Sequence, residues 1–178
     1  MDIKAVEGIF RDSGFGDFRW LSGGEVVVAE WVRMKCMFGC GAYGKSGCCP
    51  PNVPSVAECR AFFQNYSKIA VFHVAKRVAK PEDRFDWSRN VNRKLLDVEK
   101  AVFLVGNHKT FLLFMDECRL CLKCPGVRTE CKNPKLARPS PESFAVDVFT
   151  TVRKVGYPID VLNDFKSEMN RYAFLLVE

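Results

Sequence analysis

Cysteine spacing is the feature of this sequence that most constrains its fold. The 178 residues include nine cysteines, five between residues 36 and 59 and four between residues 118 and 131. Nine cysteines are about 5% of the chain, whereas disulfide-rich secreted domains hold roughly 8–10%. An odd number also leaves one thiol without a partner. Closely spaced cysteines in a reducing compartment are more often metal ligands or catalytic groups than disulfides, so the sequence predicts metal or thiol chemistry.

The rest of the composition indicates a cytoplasmic protein. Residues 1–15 carry five charged side chains and no signal-peptide core. The longest apolar runs, such as Ile69–Ala75, are far shorter than the roughly 20 residues that a membrane span needs. The formal net charge of +6 is too small by itself to indicate a nucleic acid partner. We therefore expect a cytoplasmic location and no binding to membranes or nucleic acids.

Hydrophobic periodicity predicts helices that alternate with strands. Helices are expected after the capping box of Ser55 and Glu58, over residues 91–105, and from Ser140 to Val155. This order predicts one domain, residues 1–178, of the α/β (or α+β) class, in which a mixed sheet is flanked by helices. The cysteines would lie in two metal-binding loops, 36–59 and 118–131, each directly after a strand. The predicted strands are residues 25–34, 68–77, 110–115, 159–162 and 172–177, with a right-handed crossover joining the second to the third.

The second loop has the spacing of an iron-sulfur site. Cys118, Cys121 and Cys124 form a C-x2-C-x2-C motif, and Cys131 follows. Thiolates three residues apart can surround a compact iron-sulfur core, whereas zinc sites usually pair two C-x2-C units across a longer gap. We therefore predict a four-iron four-sulfur (4Fe-4S) cluster at these four cysteines, with structural zinc as the alternative.

The first loop predicts a second metal site with less definite ligands. Cys36 and Cys40 form a C-x3-C pair, and Cys49 is preferred over Cys48 as the third ligand because two prolines follow it and hold the loop rigid. Cys59 is the most reachable fourth ligand, with a buried thiol beside Phe62 and Phe63 as the alternative. Cys48 is then left over.

A phosphate-loop pattern overlaps the first loop. Gly39–Ser46 reads GCGAYGKS, which matches G-x4-G-K-S. The mechanism of such a loop requires a helix to begin at its lysine and serine. Gly47, Pro50 and Pro51 stand where that helix would run, so the sequence argues against nucleotide binding.

Taken together, these motifs resemble an uncharacterised family of predicted metal-binding proteins found in methanogenic archaea and anaerobic bacteria. The resemblance covers nearly the whole chain and implies metal binding, with iron-sulfur chemistry in an oxygen-poor cytoplasm; it implies no particular substrate or reaction. It rests on Cys36, Cys40, Tyr43-Gly44-Lys45, Cys49-Pro50-Pro51, Cys118-Arg119-Leu120-Cys121, Cys124, Cys131, Ala137-Arg138-Pro139-Ser140 and Asp147-Val148-Phe149.

Three functions follow from these sites. The first is electron transfer or a redox accessory role, in which basic side chains between Cys118 and Arg138 receive an acidic redox partner or tune the cluster. The second is a binding module in which the metal only fixes the loops. The third is an enzyme, favoured if Cys59 is not a ligand, because three cysteines leave one iron open to substrate.

Overall fold

The computed structural model describes residues 1–164 and 167–178. In this part of the chain, four strands form one sheet that has helices on both faces. The strands are β1 (Phe18–Leu21), β2 (Ile69–Lys76), β3 (Phe111–Leu113) and β4 (Met169–Leu176), and the helices are α1 (Ile3–Asp12), α2 (Glu30–Gly39), α3 (Val56–Phe63), α4 (Asp83–Leu104) and α5 (Val148–Lys154). Short 3-10 turns occur at Gly23–Glu25, Arg128–Glu130 and Glu142–Phe144.

The sheet confirms the α/β class but not the predicted strand directions. Its order is β1-β2-β4-β3, and every neighbouring pair is antiparallel. The predicted mixed sheet is therefore wrong. Strands β2 and β3 run in the same direction and α4 connects them, yet β4 lies between them and runs against both.

Alternation along β2 divides the core into two layers. Ile69 and Val71 face a cluster that includes residues of α3 and α5, whereas Ala70 and Phe72 face a cluster that includes residues of α1 and α4. Two of the predicted helices are present, although α4 begins at Asp83, before the predicted start at residue 91. Ser55 caps α3 in a capping box with Glu58, and α4 ends just before Gly106, whose φ is 99°.

Residues 25–34 do not form the predicted strand. The segment begins in the 3-10 turn Gly23–Glu25 and continues into α2. Val32 of this helix packs against Val56 and Ala145 in a small buried cluster. This tertiary contact outweighs the strand preference of a valine-rich run. The predicted loop 36–59 is therefore not a loop after a strand, because Cys36 lies in α2 and Cys59 lies in α3.

The predicted helix from Ser140 to Val155 is divided in two. The 3-10 turn Glu142–Phe144 stops at Ala145, whose φ of 59° is left-handed, and α5 begins after Asp147. The Asp147 carboxylate accepts a hydrogen bond from the Thr150 backbone N–H at 3.0 Å. Aspartate favours such capping positions over helix interiors, which explains the break.

Of the two strands predicted near the end of the chain, one is present. Residues 159–162 form no strand, contrary to prediction, because they make no ladder with the sheet. The predicted strand 172–177 is present as β4. Across the described residues, every helix is too short or too polar to cross a membrane.

Candidate metal centre

Close backbone packing brings the two cysteine loops together. A Cβ atom at Gly47 would lie 3.2 Å from both the Arg128 Cα and the Val127 carbonyl oxygen, so only glycine fits there without a shift. The Asn52 side chain donates a hydrogen bond to the Gly126 carbonyl oxygen at 2.8 Å. Residues from both loops can therefore line the same cavities.

The four cysteines of the second loop line one small cavity. Cys118, Cys121, Cys124 and Cys131 share its walls. The predicted bystander, Cys48, lies in the same wall and is 5% exposed. The sequence analysis did not assign Cys48 to this site. The signal available was that Cys48 is adjacent to Cys49, a predicted ligand, so its thiol had to lie near a metal site as well.

Donor groups surround the sulfurs of this cavity. The Asn133 side chain donates to Cys121 Sγ at 3.0 Å, and Arg128 Nη1 lies 4.0 Å from Cys48 Sγ. The interaction between the neighbouring Cys48 and Cys118 thiols lowers the pKa of Cys118 and raises that of Cys48. Backbone N–H groups add to the lowering at Cys118. The surroundings of Cys118 therefore stabilise negative charge on its sulfur, as a metal-thiolate site requires.

Three cysteines of the first loop line a neighbouring cavity. Cys36, Cys40 and Cys49 share it with Tyr43 and Glu142. The Cys36 thiol donates to the Glu142 carbonyl oxygen at 3.9 Å. Burial raises the pKa of Cys49 to about 11, and burial followed by the proximity of Cys40 raises the pKa of Cys36. Without a metal, the Cys36 and Cys49 thiols are held protonated at neutral pH.

Cys59 lies apart from these three cysteines. It is fully buried in the core cluster with Phe63 and Tyr66, where burial raises its pKa to about 11. Its thiol donates to the Pro54 carbonyl oxygen at 3.6 Å. The structure thus places Cys59 in the position of the buried thiol that the sequence offered as the alternative to a ligand.

No metal site is preformed in residues 1–164 and 167–178. Within these ranges, no group of three His, Cys, Asp or Glu side chains is arranged to hold a metal ion. The cysteines therefore share cavities without converging on one point. The phosphate-loop pattern is not formed either, because residues 41–54 contain turns and bends and the next helix begins at Val56.

The basic side chains around the second loop divide into two groups. Arg138 is held inside the fold by Glu99, at 2.9 Å, and the Arg119 guanidinium lies 3.7 Å from the Phe85 ring centroid and pairs with Glu117. Arg128 is exposed but also belongs to the first group, because its guanidinium donates a hydrogen bond to the Pro134 carbonyl oxygen at 2.9 Å. The second group is exposed and consists of Lys123, Lys132 and Lys135. A docking surface on this loop would therefore depend on the lysines.

A larger cavity of about 460 Å³ adjoins the first cysteine set. It shares Cys36, Cys40, Asp116 and Glu142 with the three-cysteine cavity. Glu142 is exposed in the lining that the two cavities share. Two of the three thiols, Cys36 and Cys40, therefore line a cavity large enough for a small molecule.

Comparison with known proteins gives one match. The model of a family described as "Predicted metal-binding protein (DUF2284)" matches residues 19–177, a range that includes both cysteine loops. No curated protein and no solved structure matches the chain.

Proposed function

Because the chain belongs to the DUF2284 family of predicted metal-binding proteins, we propose that it holds an iron-sulfur cluster and transfers electrons in the cytoplasm. The family match confirms the resemblance seen in the sequence. The observation that carries the proposal is the single cavity lined by the four cysteines of the second loop and by Cys48.

The donor set of this cavity fits a 4Fe-4S cluster. Cys118, Cys121, Cys124 and Cys131 would supply the four thiolates, and soft sulfur ligands at this spacing suit iron-sulfur chemistry. Asn133 already donates a hydrogen bond to Cys121 Sγ. Such hydrogen bonds to ligand sulfurs tune the reduction potential of a cluster, whereas a purely structural zinc site has no redox function for them to adjust.

Cys48 has a separate role in this proposal. It lies beside Cys118 in the same cavity and lowers the pKa of that thiol, so it is a neighbour of the ligand set that stabilises charge on one ligand. The cluster, when bound, supplies reversible one-electron chemistry, with no bond to substrate made or broken. The exposed lysines Lys123, Lys132 and Lys135 would receive an acidic redox partner by charge complementarity.

A second function is favoured by the position of Cys59. Since Cys59 is buried in the core, the first cavity offers Cys36, Cys40 and Cys49 without a fourth cysteine. A cluster bound by three thiolates has one iron open to an exogenous ligand. This site would then bind a substrate, and the second cluster would supply its electrons.

Metal and acid-labile sulfide analysis of the anaerobically purified full chain tests the proposal. We expect a brown protein that contains iron and sulfide in equal amounts. A colourless protein that contains zinc and no sulfide would overturn it in favour of a metal-stabilised binding module. Zinc can be removed by a chelator, and unfolding on its removal would identify that module.

A further inference from the structure

Asp116 lies in the walls of both cavities that Cys36 and Cys40 line. The smaller of these cavities also contains Cys49, so one aspartate and the three thiols of the first set share it. Protein sites for zinc and for iron-sulfur clusters usually have four ligands. Cys59 is buried in the core and does not line this cavity. A fourth ligand from the protein would therefore be a side chain other than cysteine.

The Asp116 carboxylate has an oxygen that the fold leaves unused. Oδ2 is buried and has no hydrogen-bond partner in the described part of the chain. Oδ1 lies 3.3 Å from Arg171 Nε, which holds the carboxylate in one orientation. Carboxylates that bind metals are commonly held in this way by a partner of the second oxygen. A buried acceptor without a partner is destabilising, and a cation bound at Oδ2 would satisfy it.

The backbone fixes the position of Asp116. The Asn92 side chain donates to the Met115 carbonyl oxygen at 2.8 Å, and the Met115 N–H donates to Asn92 Oδ1 at 3.0 Å. Asp116 follows directly, with a left-handed φ of 62°. Cys40 and Cys49, in contrast, lie outside the helices and strands. We therefore expect the two thiols to move toward the carboxylate when a metal binds.

The other two carboxylates of this cavity are less suited to bind a metal. Glu117 pairs with Arg119, and the Arg119 guanidinium lies 3.7 Å from the Phe85 ring centroid. Glu142 is exposed, so water can satisfy its carboxylate. Asp116 is thus the carboxylate that the cavity offers as a ligand.

We propose that Asp116 supplies the fourth protein ligand of a metal held by Cys36, Cys40 and Cys49. The inference rests on the second function proposed above, which places a metal at these three thiolates, and it names the group in the remaining position. A carboxylate is a harder ligand than a thiolate and suits iron or zinc less well. The position of Asp116 is therefore the one that a substrate would take, and Arg171 would retain the displaced carboxylate.

Metal analysis of the anaerobically purified full chain, after gel filtration with EDTA, tests the inference. The variant is Asp116→Asn, because asparagine has a similar shape and tolerates a left-handed backbone but has no anionic oxygen. We expect this variant to contain one metal ion per chain fewer than the wild type. The loss is one iron if the first set holds a 4Fe-4S cluster, and it is the whole site if the set holds a single zinc ion.

Asp160→Asn and Glu142→Gln are the matched controls, since both carboxylates line the cavity of about 460 Å³ together with Asp116. Both controls should keep the full metal content. If Asp116→Asn does not fold by circular dichroism, Asp116→Gly, which also accepts a left-handed backbone, is measured against the same criterion. Full metal content in the folded variant, or an equal loss in either control, would overturn the inference.

The same samples distinguish this inference from the iron-sulfur proposal. Zinc without sulfide in the wild type, with one ion fewer in Asp116→Asn, would overturn the iron-sulfur proposal and support Asp116 as a ligand. Iron and sulfide contents that are the same in the wild type and in Asp116→Asn would support the iron-sulfur proposal and overturn the inference.

Discussion

Cys48 and Cys49 are consecutive in the chain, yet their side chains line different cavities. Cys48 lies with the four cysteines of the second loop, and Cys49 lies with Cys36 and Cys40. A single peptide unit therefore connects the two sets of thiols. If both sets hold metal, a short route between the centres would run through this peptide unit and across the non-covalent contact between Cys48 and the second set. The nine cysteines then divide into five, three and the buried Cys59.

Replacing Cys48 separates its role from that of a ligand. In Cys48→Ala, the polar thiol beside Cys118 is lost, so we expect a more negative reduction potential with unchanged iron content. Cys48→Ser keeps a hydroxyl donor at this position and should return the potential toward the wild-type value. Protein-film voltammetry and iron analysis measure both quantities. Loss of cluster iron in either variant would instead make Cys48 a ligand.

Cys59 is expected to contribute to stability rather than to metal binding. In Cys59→Ala, the iron and sulfide content should match the wild type, because the thiol is fully buried in the core and lies outside both cysteine cavities. The free energy of unfolding should fall by about 1 kcal/mol through lost apolar burial. Metal analysis and denaturant unfolding provide the two measurements. A selective loss of iron from the first site would show that Cys59 is a ligand after all.

The contact between the two cysteine loops can be tested without substituting a cysteine. In Gly47→Ala, the new Cβ would meet the backbone of residues 127 and 128 at 3.2 Å, which pushes the second loop away from Cys48. We expect the purified variant to retain less iron and to lose it faster in air. Gly41→Ala is the control, because a Cβ there has open space around it. Equal iron retention in the two variants would contradict this description of the loop contact.

The Asn133 side chain should tune the cluster. Its hydrogen bond to Cys121 Sγ is 3.0 Å long, so Asn133→Ala should shift the reduction potential to a more negative value. Asn65→Ala is the matched control, since Asn65 is exposed and donates to the Ala61 carbonyl oxygen within its own helix turn. The potentials of both variants are compared with the wild type by voltammetry. A potential in Asn133→Ala equal to that of the control would exclude this role.

Local sequence signals predicted much of the fold. The capping box of Ser55 and the apolar spacing over residues 91–105 identified α3 and α4, because these signals act within one or two turns of the chain. The valine-rich residues 25–34 were wrongly predicted to form a strand. Val32 there takes a helical position to pack against Val56 and Ala145, and those residues are distant in sequence.

For the candidate site, too, local patterns in the sequence were informative and tertiary arrangement was not predictable. Regular spacing singled out the four cysteines of the second loop, and these residues line one cavity; that they bind a metal stays a prediction. Spacing could not show that Cys48 and Cys49 point into different cavities, because this depends on the turns between Gly41 and Pro54. The helical face that Cys59 shares with Phe63 was the signal for its burial. The 460 Å³ cavity combines residues from α2, β4 and α5, and no sequence pattern joins them.

Electron paramagnetic resonance of the anaerobically isolated protein, before and after reduction by dithionite, tests the central claim most directly. A 4Fe-4S cluster at Cys118, Cys121, Cys124 and Cys131 predicts a silent oxidised sample and a half-integer-spin signal after reduction. Serine substitution of Cys121 should abolish or alter that signal. A protein that stays silent in both states while it carries stoichiometric zinc would contradict the account.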